Sequence, residues 1–534
     1  MAGIKAITHH IALWAGIALA LFVFCFWNFR YPQALSFQEQ NQLFLWTIDY
    51  LFDDLSAAGG LADWLSQFIV QFYYVTWLGA VLLALLFWAF QRASFLVVRG
   101  IVYGRHLADA APRSAKSEIL LAAVSLLPPL LMLYLMGDIN VMLSFPVAVT
   151  LSLYAAWIVN GAALRHGNMA LWADIVAVPL LFWLIGGGAT WLYVALRIAF
   201  ALRGGYGERL NHSLISLMAL PYLFFVESVA ANTLLRQWPR KSVYIGLNYY
   251  YAPMKYPGAE WGYNEPTYEM MMQDYLVRHE RWADIISRAE KHQVKAAFSS
   301  NCVNLALSQL RQLDDRMFSF FQTGEDALLF KSRSDNMSNY PTMEAYWRLG
   351  MVNSCLRYAT EIQSSILTRQ KSGRITRRIV ECHIVNGNYK AAQRHINLLK
   401  KSLFYRGWAL EAEALLGNEE LINSHPVYGR VRSDRFKDDF LFVYAEKPQV
   451  LRKLFLSNKS NKMALDYFLG ELLLHGKHQA FKKYVTWAMV YGDSKEMPWG
   501  YQDALNYINS GKGTPGSPYA GYCGMMLKRK GGAK

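Results

Sequence analysis

The sequence predicts an all-α protein in two parts: a polytopic helical membrane domain of about seven spans, then an α-helical solenoid. Three observations predict it. Long apolar runs crowd the first 235 residues, and none of comparable length follows Lys241. Charge divides at the same place: residues 236–534 hold 43 Lys+Arg and 28 Asp+Glu, a net +15, whereas residues 1–235 hold 11 of each. Beyond residue 265, a helix–turn–helix pattern recurs at intervals near 35 residues. A 534-residue chain is too long for one core. Its 54% hydrophobic content suits a membrane protein, and its 17% charged content is too high for one lying wholly in lipid.

The first span is Ile11–Asn28, preceded by Lys5, His9 and His10. It has no small-x-small cleavage site and further spans follow, so it reads as a signal anchor. Residues 29–66 form a polar, aromatic loop with short helices. Within it Leu43, Leu45, Trp46, Ile48, Leu51 and Phe52 fall on one side at helical spacing, as in a helix lying in the membrane interface. Gly59-Gly60 marks the break before the next helix. The second span is expected at 67–90, with Gln71, Tyr73, Tyr74 and Trp77 at its start. Residues 91–117 carry Arg92, Arg99, Arg105, Arg113 and Lys116 and read as a cytoplasmic loop by the positive-inside rule.

Spans three and four are expected at 118–136 and 139–158, joined at Gly137-Asp138. Residues 170–202 exceed the roughly 20 residues one span needs. Gly186-Gly187-Gly188 divides them into a hairpin, a single broken helix being the alternative. The seventh span, 213–235, ends at a basic stop of Arg236, Arg240 and Lys241. Seven spans from a cytoplasmic N-terminus place the tail outside the cytoplasm, and six would place it inside. Arg197 and Glu227 lie deepest in apolar sequence, each about 12 Å below the outer end of its span at 1.5 Å per residue. Charges at one level on adjacent helices are candidates for an intramembrane pair. Asp174 is expected at the interface.

Residues 236–265 read as a Tyr-, Pro- and Gly-rich linker. The repeat region, 266–490, aligns on Trp282, Met317, Val352 and Tyr389, with Ile285, Phe320, Cys355 and Ala392 three residues later as buried positions. Gly387, Tyr389 and Ala392 form the best single copy, and residues 475–485 resemble another turn and second helix. This is similar to the tetratricopeptide pattern; a generic helical-hairpin array is the plainer alternative. His395 and His478 fall within the periodic pattern as packing or surface residues. Arg374, Arg377 and Arg378 share a helix face and form a candidate anion-binding group, a solvated face being the alternative. Residues 491–534 read as a turn-rich C-terminal segment whose last basic cluster could touch lipid.

No nucleotide-binding, nucleophile-elbow, zinc-protease or EF-hand motif is present, and GKGTPG at 511–516 follows no strand and reads as coil. No cofactor or metal is expected. The five cysteines show no CxxC or metal spacing and read as buried thiols. The basic tail suits anionic lipid headgroups, anionic glycans or nucleic acid; the expected partners are membrane lipid and another envelope protein, and not nucleic acid.

The stretches EQNQLF (39–44), GGLADW (59–64), QFYY (71–74), LGMVN (349–353) and NGNYKAA (386–392) make the chain resemble an uncharacterised family of bacterial inner-membrane proteins with a helical-repeat tail. That resemblance implies an architecture and no activity. The first functional expectation is therefore a scaffold, displaying a periplasmic repeat domain to another envelope protein. The second comes from the membrane part, which is similar to the GT-C membrane glycosyltransferases. That likeness implies an essential acid in the first outer loop, acting as base or metal partner toward a lipid-linked sugar. Glu39 and Asp49 are the candidate catalytic residues, with Asp53 and Asp54 beside them. A transport role is a third class.

Overall fold

The computed structural model describes residues 11–103, 115–138, 141–166, 169–202, 221–226, 263–332, 337–366, 371–436, 446–492 and 495–531. Among these the secondary structure is helical, without strands. The chain divides into two compact units, Met1–Glu265 and Pro266–Lys534.

In the first unit α1 (Ile11–Cys25) runs on through a π-helical turn, Phe26–Arg30. Three short helices follow: α2 (Pro32–Glu39), α3 (Ile48–Leu55) and α4 (Gly60–Val70). Then come α5 (Thr76–Tyr103), α6 (Ala115–Leu135), α7 (Ser144–His166), α8 (Met169–Ile185) and α9 (Gly187–Leu202). Among the described residues four helical stretches are long and apolar enough to cross a membrane: Ile11–Arg30, Thr76–Tyr103, Lys116–Leu135 and Ser144–Ala162. Helix α5 packs against α1, α6 and α7. Polar pins cross these contacts: Gln91 Nε2 donates to Ser125 Oγ at 2.9 Å, and Tyr154 OH to the Ala89 carbonyl at 3.1 Å. In apolar surroundings such bonds hold helix pairs in register.

The second span differs from expectation. Residues 67–70 finish α4, Gln71–Tyr74 form a 3-10 turn, and the long helix starts only at Thr76. Extended backbone at Val75 separates turn from helix. The long helix then continues to Tyr103, so Arg92 and Arg99 are helical and not in a loop. The break at Gly186 falls as expected, with φ +88° in the left-handed region that glycine enters freely. Helices α8 and α9 fold back on each other there. Asp174, twelve residues before Gly186, meets Arg197, eleven residues after it. Most of the seventh span, Glu227 and the linker through 262 lie outside the described residues. Of that span only the helical 221–226 is described, where Phe224 packs on Trp191 at 4.7 Å.

The second unit begins with α10 (Glu265–Arg278), α11 (Trp282–Lys291), α12 (Ala297–Gln309), α13 (Leu313–Arg316), α14 (Tyr340–Leu349) and α15 (Val352–Ser365). It continues with α16 (Gly373–Asn386), α17 (Tyr389–Leu399), α18 (Arg406–Leu415), α19 (Glu419–Ser424), α20 (Tyr428–Asp434) and α21 (Lys447–Ser457). It ends with α22 (Lys462–Leu474), α23 (His478–Tyr484), α24 (Thr486–Tyr491), α25 (Trp499–Ser510) and α26 (Pro518–Gly531).

One local device recurs along this unit. A residue of positive φ stands two places before a new helix: Glu280 before α11, Arg311 before α13, Gly350 before α15, Gly387 before α17, Gly417 before α19 and Gly476 before α23. In all but the Gly417 turn, the next N–H returns to a carbonyl five residues back, as in Arg281 to Leu276 at 2.9 Å and Asn388 to His383 at 2.8 Å. These are Schellman closures, which satisfy the orphan carbonyls of the outgoing helix and reverse the chain. Three residues into the following helix Ile285, Cys355, Ala392, Ile422 and Phe481 are fully buried.

Trp282, Val352 and Tyr389 thus open second helices at the aligned positions, and His478 opens one within 475–485. Met317 does not: Leu313 opens that helix, one helical turn earlier, and Met317 lies in a 3-10 turn. The left-handed position there is Arg311, which gives no glycine signal to align on. The openings at 282, 313, 352, 389, 419 and 478 are 30 to 59 residues apart and not regularly near 35. The C-terminal segment also differs from the turn-rich expectation, since residues 499–510 and 518–531 are helical. Pro518 stands at the first helical position, where a missing N–H costs nothing. Buried Tyr519 and Tyr522 hold α26 in place, their hydroxyls donating to the Leu473 and Leu474 carbonyls at 3.3 and 3.0 Å.

Candidate functional site

The first unit concentrates its buried polarity in the loop between α1 and α5. Helix α2 starts with Pro32 at its first position and is only eight residues long, yet Gln33, Ser36 and Glu39 on it are buried. Gln40 and Gln42 just beyond are buried too. Helix α4 and the turn after it add Ser66, Gln67, Gln71 and Tyr73. Helix α2, helix α4 and the 71–74 turn pack on one another. Part of this layer is internally satisfied. Gln40 donates to the Ser36 carbonyl at 3.1 Å, Trp46 Nε1 to Gln71 Oε1 at 3.0 Å, and Tyr50 OH to Gln67 Oε1. Part is not: Gln33 Oε1, Gln42 Oε1, Ser66 Oγ and Tyr73 OH are buried without a hydrogen-bond partner among the described residues. Each such atom costs about 1–3 kcal/mol unless something meets it.

The candidate acids of this loop fall into two environments. Glu39 is 3% exposed inside the polar layer. Asp49 and Asp53 are solvent-facing on α3, and Asp54 is half-buried. Helix α3 buries none of its own residues and leaves Ile48 and Phe52 exposed, whereas Leu43 and Phe44 before it are buried. An aromatic cluster roofs the layer: Phe44 touches Trp46, Tyr50, Trp64 and Phe68, and Trp64 stacks on Phe68 at 5.8 Å. Among the described residues no group of three or more His, Cys, Asp or Glu is placed to hold a metal ion.

Arg197 is buried, and its partner among the described residues is Asp174 and not Glu227, which lies outside them. The pair is bidentate, Nε to Oδ1 at 3.0 Å and Nη2 to Oδ2 at 3.1 Å. Tyr193 OH donates to Oδ1 at 2.5 Å, and Arg197 Nη1 reaches Asn160 Oδ1 on α7 at 3.5 Å. Asp174 is therefore a buried, paired carboxylate: the α8–α9 hairpin brings it opposite Arg197 and covers both. The Gly186 break could have disclosed this, because positions equidistant from a hairpin tip face each other.

Arg374, Arg377 and Arg378 do come together on α16, but their charges are already met. Arg374 reaches Asp274 at 2.8 Å and Glu344 at 3.4 Å, and Arg378 reaches Glu344 at 2.9 Å and Glu381 at 2.6 Å. Arg377 pairs with Glu381 at 3.1 Å. Arg348, which sequence reasoning did not single out, joins Glu344 at 2.7 Å. Each guanidinium also covers an aromatic face: Arg374 on Tyr340, Arg377 on Trp408, Arg378 on Trp347 and Arg348 on Trp282. Burial pushes the Glu344 carboxyl up, and the guanidiniums of Arg378, Arg348 and Arg374 more than reverse this, holding it well below the usual range. The group is an internal ion network tying α10, α14 and α16, so the anion-binding reading is set aside.

A second buried network joins Lys447 and Glu471 at 3.2 Å, both fully buried, with His475 at 3.1 Å from Glu471. The cysteines are split: Cys302, Cys355 and Cys382 are buried, while Cys25 is exposed on α1. An open cavity of about 480 Å³ lies between the 317–319 turn and α26, lined by Phe318, Phe320, Phe321, Pro518, Tyr522 and Met525 among others.

No curated protein and no solved structure matches the chain. A family model does, over residues 7–522, and so almost end to end. The chain, with its apolar helical first unit and its hairpin-built second, belongs to the family of unknown function DUF6057.

Proposed function

We propose that the protein is a membrane-anchored scaffold. Its helical-hairpin unit is displayed on the periplasmic side of a bacterial inner membrane and recruits another envelope protein. The observation that carries this reading is the recurring turn, with its left-handed residue two places before six of the unit's helices and a fully buried residue three places into five of those six. Each hairpin has one apolar face, and neighbours that stack to bury it leave an extended outer surface for a partner, as tetratricopeptide-like arrays do. The ion networks described above tie neighbouring helices of that unit together from within.

A photo-crosslinking residue at exposed positions Arg430 and Lys453 of the full chain tests the reading. Reproducible capture of one envelope protein, lost on deleting the hairpin unit, is the expected result. No adduct from any position, with the protein at native level, sinks it. One observation favours a second reading, a GT-C-like transferase using a lipid-linked sugar. Glu39 is buried in a loop layer that also holds the unpartnered polar atoms of Gln33, Gln42, Ser66 and Tyr73. A carboxylate there is suited to general-base work on a hydroxyl. Glu39→Ala and Asp49→Ala separate the two readings: altered envelope glycans with the partner retained select the transferase, and unchanged glycans with the partner retained select the scaffold.

A further inference from the structure

We infer that the end of the α17–α18 hairpin is a docking surface for an anionic lipid bilayer. Helix α17 buries Ala392, Ile396 and Leu399 completely and turns Lys390, Arg394 and, just past its end, Lys401 outward. Their spacing of four and seven residues puts them on one stripe. Arg406 opens α18 beside that stripe, and Lys371 lies close enough to act on His395 of α17. All five cations are exposed, and none forms an ion pair among the described residues. Elsewhere in this unit cations find carboxylates readily: Lys400, next to Lys401, holds Glu413 at 2.9 Å. The nearest exposed acid on α18 is Glu411, at the edge of the group.

Two leucines stand among these charges, Leu403 at 49% and Leu410 at 46% exposure. Exposed leucines on a basic ground are the signature of a surface that rests in lipid headgroups, the cations meeting phosphates and the apolar side chains entering the acyl boundary. Bare like charges repel one another, and an anionic surface removes that cost. The chain supplies the bilayer itself, because its first unit carries four helical stretches able to span one. A tethered surface sees its target at high effective concentration, so weak contacts suffice. An acidic peptide offers the charge but arrives untethered, so the bilayer is the better match. The inference does not depend on either functional reading.

The test uses the full chain with Cys25→Ser and Cys523→Ala, a fluorophore on Leu403→Cys, and reconstitution into nanodiscs carrying nitroxide-labelled lipid. Discs containing phosphatidylglycerol are expected to quench the fluorophore by about half or more, and neutral phosphatidylcholine discs to leave it bright. At about 1 M salt, where screening acts within about 3 Å, the quenching is lost. The variant K390Q/R394Q/K401Q/R406Q, whose exposed positions leave the fold intact by circular dichroism, loses it as well. Equal quenching in neutral and anionic discs overturns the inference, as does none in either. Salt-sensitive binding of a poly-glutamate peptide without lipid quenching assigns the surface to a protein partner and overturns it too.

Discussion

Replacing Lys447 by Met should unfold the hairpin unit more readily than almost any surface change. Lys447 opens α21, and its Nζ donates to the Leu329 carbonyl at 3.0 Å and to the Glu325 carbonyl. Its carboxylate partner Glu471 sits in the last turn of α22, and neither side chain touches solvent. A buried pair gains little over apolar packing because desolvation offsets the Coulomb term. Removing one member is another matter, since the remaining charge is stranded, at about 3–5 kcal/mol. For a unit of this size that is a fall of about 10 °C in Tm. Met keeps the stem's volume, so a cavity contributes little. The double variant K447M/E471L strands no charge and should cost only about 1–2 kcal/mol. Pulse proteolysis of the full chain across a urea series reads all three proteins. A single-variant cost below about 1 kcal/mol, or a double variant worse than the single, would show that the pair is not the buried unit described.

Other outcomes follow from the same geometry. Gly350→Ala should cost more than Gly387→Ala in the same urea series. Both have positive φ, worth about 1 kcal/mol, but only at Gly350 would a Cβ meet backbone atoms of Asp434 and Arg435, at 2.7 and 2.9 Å. Asp466→Asn should stabilise the protein at high pH and change nothing at pH 4. Burial and the facing Asp314, opposed by Arg311 and Lys462, push the Asp466 carboxyl from 3.8 to about 8. The folded state then binds the extra proton between those values, so stability is lost as pH rises through them. Asp466 keeps partial solvent contact, which reduces the expected gain at pH 8 to about 2 kcal/mol. Parallel urea midpoints for wild type and variant at all pH values refute this. In the first unit, Arg197→Met or Asp174→Leu should reduce the folded yield from membranes, measured by size-exclusion chromatography, while the double variant recovers part of it. Equal losses in all three would mean that the pair does not act as one.

What the sequence disclosed and what it hid follow from the range of the interactions. The α8–α9 break was legible because a glycine run inside an apolar stretch is a local signal. So was the hairpin register at Gly350 and Gly387, where glycine advertises the left-handed residue. The copy at Arg311 uses the same backbone device with a residue that carries no such signal, and the alignment slid by one helical turn. Charges were the least legible. Arg374 and Arg378 share a helix face, which sequence shows, but Asp274 and Glu344 stand 100 and 30 residues away from Arg374 and reach it only through stacking of the hairpins. Asp174 escaped for a related reason: its depth was reckoned along one helix, whereas its partner is fixed by the fold-back of two. A buried ionic residue is thus poorly judged by its own neighbourhood and better judged by pairing positions across the nearest chain reversal. In the loop at 29–74, Glu39, Gln33, Ser66 and Tyr73 lie on elements that pack together, and the last three carry polar atoms without a partner among the described residues, so in this chain the polar layer is the first place to seek a bound polar group.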